Sequence, residues 1–163
     1  MAERVSDAVL ETLKGIATPT LANAIDAVGA GGVMTGPGAV GPGLRCVGRA
    51  VTAGEVTAPF GTFPVEDFKV GHMIEMAGPG DVIVVANGGA PVSTWGGMAT
   101  YAATLKGIAG LVVDGGVRDR EEILEFGLPV FATHVVPTPG KTRIRVESLG
   151  APVVCGGVPV RPG

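Results

Sequence analysis

Apolar residues in this chain fall into two patterns, and the patterns predict its elements. Residues 6–14 place Val9, Leu10 and Leu13 on one helical face, with Ser6 as a plausible N-cap. Thr18-Pro19-Thr20 opens a second helix that runs to about residue 28, with proline near its first turn. Residues 29–43 are glycine-rich and read as a long loop, and 46–56 read as a strand. A helix over 65–77 is stopped by Gly78-Pro79-Gly80. The run VIVVA at 82–86 is apolar without alternation, the signature of a strand buried on both faces. Asn87-Gly88-Gly89 then turns the chain. Met98, Tyr101, Ala102 and Leu105 at i, i+3, i+4 and i+7 predict a helix over 94–105. GLVV at 110–113 is a further buried strand, 119–126 a helix and 130–132 a strand. From Lys141 onwards the segments TRIRV, PVVC and VPV read as short β pieces joined by turns.

The centre is thus βαβαβ, which implies an α/β fold with parallel strands and right-handed crossovers. The last residues, Val158 to Gly163, read as a strand entering a turn whose second half is missing. The expectation is one domain over 1–163, lacking a usual C-terminal strand.

Composition narrows the function. With 46% apolar and 17% charged residues the chain is too hydrophobic for disorder, and so few charges point to subunit interfaces. A net charge of −3 without a basic block argues against nucleic acid. No apolar run reaches the roughly 18 residues of a membrane span. The charged, amphipathic N-terminus is unlike a signal peptide, so a cytoplasmic protein is expected. Cys46 and Cys155 stand apart from each other and from any histidine at ligand spacing, which reads as two buried free thiols.

The segment from Gly110 to Asp119 carries the chemistry. A buried strand drives into a glycine-rich turn that presents Arg118 beside Asp119. A planar cationic fork next to a carboxylate suits an anionic substrate held beside a divalent metal. Gly96, Gly97, Met98 and Ala99 open a helix, where backbone N–H groups lack intrahelical partners and the dipole is positive. A small carboxylate could be held by those amides and by Arg118. Other motifs carry less. GPGAVG at 36–41 matches a dinucleotide-binding string, but no buried strand precedes it and no helix follows. Asp114 sits in an Asp-Gly turn, where a carboxylate usually bonds its own backbone. His72 and His134 have no partner at ligand spacing, Ser93 lacks a nucleophile-elbow setting, and Lys106 and Lys141 lack the apolar surroundings of a Schiff-base lysine.

Trp95 to Asp119 (WGGMATYAATLKGIAGLVVDGGVRD), with its approach PGDVIVVANGG, closely resembles the RraA-like family. The likeness returns at VCGGVPVRPG. That family includes class II pyruvate aldolases acting on 4-hydroxy-4-methyl-2-oxoglutarate, members that decarboxylate oxaloacetate, and the non-enzymatic regulator of ribonuclease activity A. The resemblance implies a compact α/β/β sandwich and a homotrimer or dimer of trimers. It implies Mg²⁺ or Mn²⁺ held by Asp119, a small 2-oxo acid substrate contacted by Arg118, and a pyruvyl portion bound by Gly96, Gly97, Met98 and Ala99. The implied activity is a lyase yielding pyruvate, and a regulatory binding protein is the alternative. Aldolases of the family carry an acid at the position of Gly97, and family chains continue past the final Pro-Gly. The regulator lacks the intact Arg-Asp pair that is present here as Arg118-Asp119.

Overall fold

The apolar run at 82–86 forms the middle of a six-stranded sheet in a computed structural model that describes residues 4–163. It opens β3 (Val82–Trp95), which pairs in parallel with β2 (Ala50–Thr57) on one side and β4 (Gly110–Val117) on the other. β4 pairs in parallel with β5 (Val130–Val135). Antiparallel edges complete the sheet: β1 (Gly38–Ala39) beside β5, and β6 (Ile144–Leu149) beside β2. The crossovers are α4 (Gly97–Leu105) and α5 (Arg120–Phe126), as the βαβαβ reading expects. A hairpin of β7 (Val153–Cys155) and β8 (Val158–Val160) forms its own two-stranded layer.

The strand period of two places successive side chains of β3 on opposite faces. Ile83 and Val85 join Leu111 and Val113 in a core that also holds Ala103 of α4, Ile123 of α5 and Met73 of α3 (Val70–Met76). Val82 and Val84 face the other way, against Cys155 of the hairpin. Helices, sheet and hairpin are the α/β/β layers that the family resemblance implied. Cys155 is buried, Cys46 is half-buried, and both are free thiols. No helix among the described residues is long and apolar enough to cross a membrane.

Several boundaries move, each for a physical reason. The strand expected at 46–56 begins at Ala50. The helix expected over 65–77 breaks into a 3-10 turn, Val65–Asp67, and α3. Between them Phe68 leaves helical geometry (φ −83°, ψ 79°) and its ring packs on Gly140. Asn87-Gly88-Gly89 does not reverse the chain. Gly88 and Gly89 take positive φ (60° and 75°) and bulge β3, which then runs on to Trp95. The glycine-rich segment after GLVV is likewise strand, because Gly115 and Gly116 lie where side chains would meet Asn87 and the Val92 carbonyl. α4 therefore starts at Gly97, after Thr94 and Trp95 have ended β3. Its buried residues are Gly97, Thr100 and Ala103, whereas Met98, Tyr101 and Leu105 of the apolar stripe are exposed.

At the N-terminus, α1 (Asp7–Lys14) is capped by Ser6 as expected, its hydroxyl accepting from the Val9 N–H. α2 (Thr18–Ala27) follows with proline in its first turn. Neither helix buries a residue in this chain.

Candidate functional site

The carboxyl end of β3 is delivered past the sheet by its bulges. From Ala86 to Trp95 its β4 partners are the short stretch from Asp114 to Val117, and Ser93 also bridges to Pro139. The Arg118 N–H then donates to the Trp95 carbonyl at 2.9 Å, so the two chains leave the sheet side by side. Ligands of parallel α/β sheets collect at such carboxyl ends. Here a cleft of about 660 Å³ opens, with Gly96, Gly97, Met98, Ala99, Arg118 and Asp119 all on its walls. The structure thus brings together every residue that the sequence singled out for substrate and metal.

Asp119 is the pivot. It takes left-handed backbone geometry (φ 55°, ψ 46°) at the N-cap of α5, which aspartate tolerates better than most residues. Its side chain does not cap its own helix. Oδ2 instead accepts the Gly97 N–H at 3.1 Å, and the Arg118 Nε lies 3.5 Å from the same oxygen. One first-turn donor of α4 is therefore already engaged. Met98 and Ala99 supply the remaining N–H donors of that turn, and both residues line the cleft.

Two glycines let neighbouring side chains approach the α4 start closely. A Cβ at Gly96 would lie 2.6 Å from Asp119 Oδ2 and 3.2 Å from Arg118 Cγ. A Cβ at Gly97 would overlap the Glu122 carboxylate. Glu122 thus occupies the space where a side chain at 97 would begin, and it too lines the cleft. The mouth of α4 is braced from within. Trp95 Nε1 donates to Thr100 Oγ1 at 2.9 Å, and Thr100 Oγ1 donates to the Gly96 carbonyl at 3.0 Å.

Behind the cleft wall lies a buried carboxyl. Glu55 of β2 accepts hydrogen bonds from Thr94 Oγ1 and, at 2.7 Å, from Asn87 Nδ2, and Asn87 Oδ1 accepts from Thr57 Oγ1 at 2.6 Å. Burial pushes the Glu55 carboxyl up to about 7, against the two hydrogen bonds, which favour its charged form.

Sequence reading missed Glu122, Lys141, Phe68 and Glu55. Glu122 was within reach: it follows Asp119 by three residues and so shares its side of α5. Lys141, weighed only as a Schiff-base lysine, stands on the cleft rim with Pro139 and Gly140. Phe68 and Glu55 come from distant elements and left no local signal. Asp114, expected to bond its own turn, instead accepts the Gly156 N–H of the hairpin at 3.2 Å. His134 Nε2 lies 3.0 Å from the Gly89 carbonyl, in a structural contact.

Comparison with known proteins agrees with this architecture. The family model RraA-like (Aldolase/RraA) matches residues 11–163. Over 80 residues, 49% of this chain and 38% of the relative, the chain is 41% identical to an uncharacterised protein of Methanocaldococcus jannaschii. Over 88 residues, 53% of this chain and 41% of the relative, it is 38% identical to a Halalkalibacterium halodurans protein whose name proposes a 4-hydroxy-4-methyl-2-oxoglutarate aldolase. The matched segments span less than half the length of these curated relatives. Among solved structures, Streptomyces coelicolor RraAS2, described as an unusual member of the RNase ES inhibitor RraA protein family, superposes with a TM-score of 0.82 at 27% identity. That match covers 100% of this chain and 81% of the other.

Proposed function

The chain belongs to the RraA-like family, and on that premise we propose that it is a divalent-metal-dependent lyase. Its reaction would be aldol cleavage or decarboxylation of small 2-oxo acids to pyruvate, of the 4-hydroxy-4-methyl-2-oxoglutarate aldolase and oxaloacetate decarboxylase type. The observation that carries this reading is the meeting of Arg118 and Asp119 with the first turn of α4 in one cleft.

The donor set suits a hard cation. Asp119 uses Oδ2 for the Gly97 N–H, which leaves Oδ1 for a metal, and Glu122 offers a second carboxylate on the same wall. Magnesium is commonly held by one or two carboxylates, with substrate and water completing the shell. Asp119 would hold Mg²⁺ or Mn²⁺, with Glu122 beside it. Such an ion supplies Lewis-acid stabilisation of negative charge on a 2-oxo acid. The Met98 and Ala99 amides orient the substrate carboxylate. The Arg118 guanidinium neutralises charge that develops on the enolate oxygen. Phe68 and Val70 supply an apolar part of the cleft wall.

We also propose a homotrimer or dimer of trimers. Met98 (80% exposed), Leu105 (71% exposed) and Tyr101 leave an apolar stripe on α4 beside the cleft. A monomeric mass in light scattering at micromolar concentration would contradict that assembly.

The kinship with RraAS2 favours a second reading, a regulatory binding protein with a vestigial cleft. Oxaloacetate decarboxylation, followed with and without Mg²⁺ or Mn²⁺, separates the two. The lyase reading expects pyruvate release that added metal raises and excess EDTA stops. Turnover indifferent to EDTA would sink the metal mechanism, and no turnover under any metal would leave the binding reading.

A further inference from the structure

We propose that Glu55 is a pH-sensitive positioning residue. Through Thr94 it makes the cleft hold an anionic 2-oxo acid tightly when its carboxyl is neutral and weakly when it is ionised. The role rests on the lyase reading of the cleft and uses a buried acid that reading leaves idle.

Sheet geometry puts this carboxyl directly behind the wall. Glu55 of β2 accepts from Thr94 Oγ1, and Thr94 lines the cleft beside Trp95 and Gly96. The backbone on either side of Thr94 is pinned. Ser93 N–H donates to the Thr138 carbonyl and Arg118 N–H to the Trp95 carbonyl, both at 2.9 Å. Trp95 Nε1 donates to Thr100 Oγ1, which donates to the Gly96 carbonyl. Of these links, only that of Thr94 ends on a titratable side chain.

No cation offsets the charge of an ionised Glu55. Its partners Thr94 and Asn87 are neutral, and it forms no ion pair among the described residues. β2 carries no other titratable residue. On β6, Val146 lies opposite, and the flanking Arg145 and Glu147 pair with each other. On α3, His72 and Glu75 are exposed. On the hairpin, the Cys155 thiol lies against the Val85 carbonyl. The charged groups of the cleft wall are Arg118, Asp119, Glu122 and Lys141. Burial, not any of these charges, raises the Glu55 carboxyl to about 7.

An ionised Glu55 is thus a negative charge one side chain behind the wall, in surroundings that screen it poorly. It repels a carboxylate held at the α4 amides. It also draws the Thr94 O–H to itself. A neutral Glu55 donates its own proton to Thr94 Oγ1, because Asn87 Nδ2 can only donate.

Trp95 is the single tryptophan and adjoins Thr94, so its emission reports on this wall. The experiment titrates that emission against pH without ligand, then with pyruvate in Mg²⁺ at about pH 6 and about pH 8. The pyruvate dissociation constant should rise about tenfold between them in the unaltered protein. In Glu55→Gln the amide keeps both hydrogen bonds without titrating, so the constant should stay at its low-pH value. Thr94→Val removes a hydrogen bond that favours the charged form, and should move the midpoint of the unliganded titration upward; Thr94→Ser should restore it. His72 and His134 are common to every variant, so the differences belong to Glu55. A pH-indifferent constant in the unaltered protein, or the same rise in Glu55→Gln, overturns the proposal. So does an unmoved midpoint in Thr94→Val, a readout that stands even where Glu55→Gln does not fold. If the unaltered protein binds no pyruvate at either pH, the lyase reading falls and this inference with it. Pyruvate binding without pH dependence removes the inference alone.

Discussion

The two ends of the parallel strands put the same residue type to opposite uses. At the amino end of β3, Asp81 turns back on its own loop, Oδ2 accepting the Gly78 N–H at 2.8 Å. Its carbonyl accepts from Ala109 and so ties the β3 and β4 starts together. At the carboxyl end, Asp119 forgoes its own helix cap and reaches to Gly97 of the neighbouring helix. Glu55, Asn87 and Arg118 gather at that end as well. The difference teaches where chemistry can reside. A carboxylate satisfied within its own turn is a fastener. One held by a distant element, with an oxygen and an arginine left toward a cleft, is available for a ligand.

Asp119→Asn gives the sharpest test of that contrast. It keeps an acceptor for the Gly97 N–H and a residue type that tolerates left-handed geometry, but removes the charge that would hold a cation. Metal-stimulated oxaloacetate turnover should vanish while the melting temperature shifts little. Turnover near the original level would make Asp119 a fastener like Asp81.

Arg118→Lys comes next. An ammonium keeps the charge and loses the planar fork, so kcat/KM should fall on the order of a hundredfold. A rate near the original would place Arg118 on a solvated face with no part in turnover.

Glu55 extends the contrast to stability. Its proton is held to about pH 7 in the folded chain, whereas an unfolded glutamate releases it near 4.5. Between those values the folded state binds more protons, so this group's contribution is complete below about pH 4.5 and is lost as pH rises through about 7. The loss amounts to roughly 3 kcal/mol. Urea unfolding at pH 5 and pH 8 should show that decline in the unaltered protein and a flatter profile in Glu55→Gln. Parallel profiles would contradict it.

The smallest effect belongs to the amino end. Asp81→Ala frees the Gly78 N–H and should cost about 1 kcal/mol in urea unfolding, with oxaloacetate turnover per folded molecule unchanged. A loss of turnover there would erase the distinction between the two ends.

Much of this was legible in the chain itself. Unbroken apolar runs at 82–86 and 110–113 named the buried central strands, because a strand covered on both faces cannot alternate. The order of elements implied parallel pairing, and the Arg118-Asp119 pair at a strand end marked the cleft. Ser6 named its own helix start because capping is local. The misreadings arose where tertiary contacts outweighed local preference. Asn87-Gly88-Gly89 looks like a turn, yet pairing with β4 at Ala86 before it and Ala90 after it keeps it within a bulged strand. The apolar stripe of α4 looks like a core face, yet the small residues on the other side let the helix lie close to the sheet. Whether Asp119 caps its own helix or its neighbour's was beyond the sequence, as was the meeting of Glu122 with Gly97 and of Lys141 with the cleft rim. Those are contacts between elements far apart in the chain or between facing helices, and only the folded backbone sets their distances.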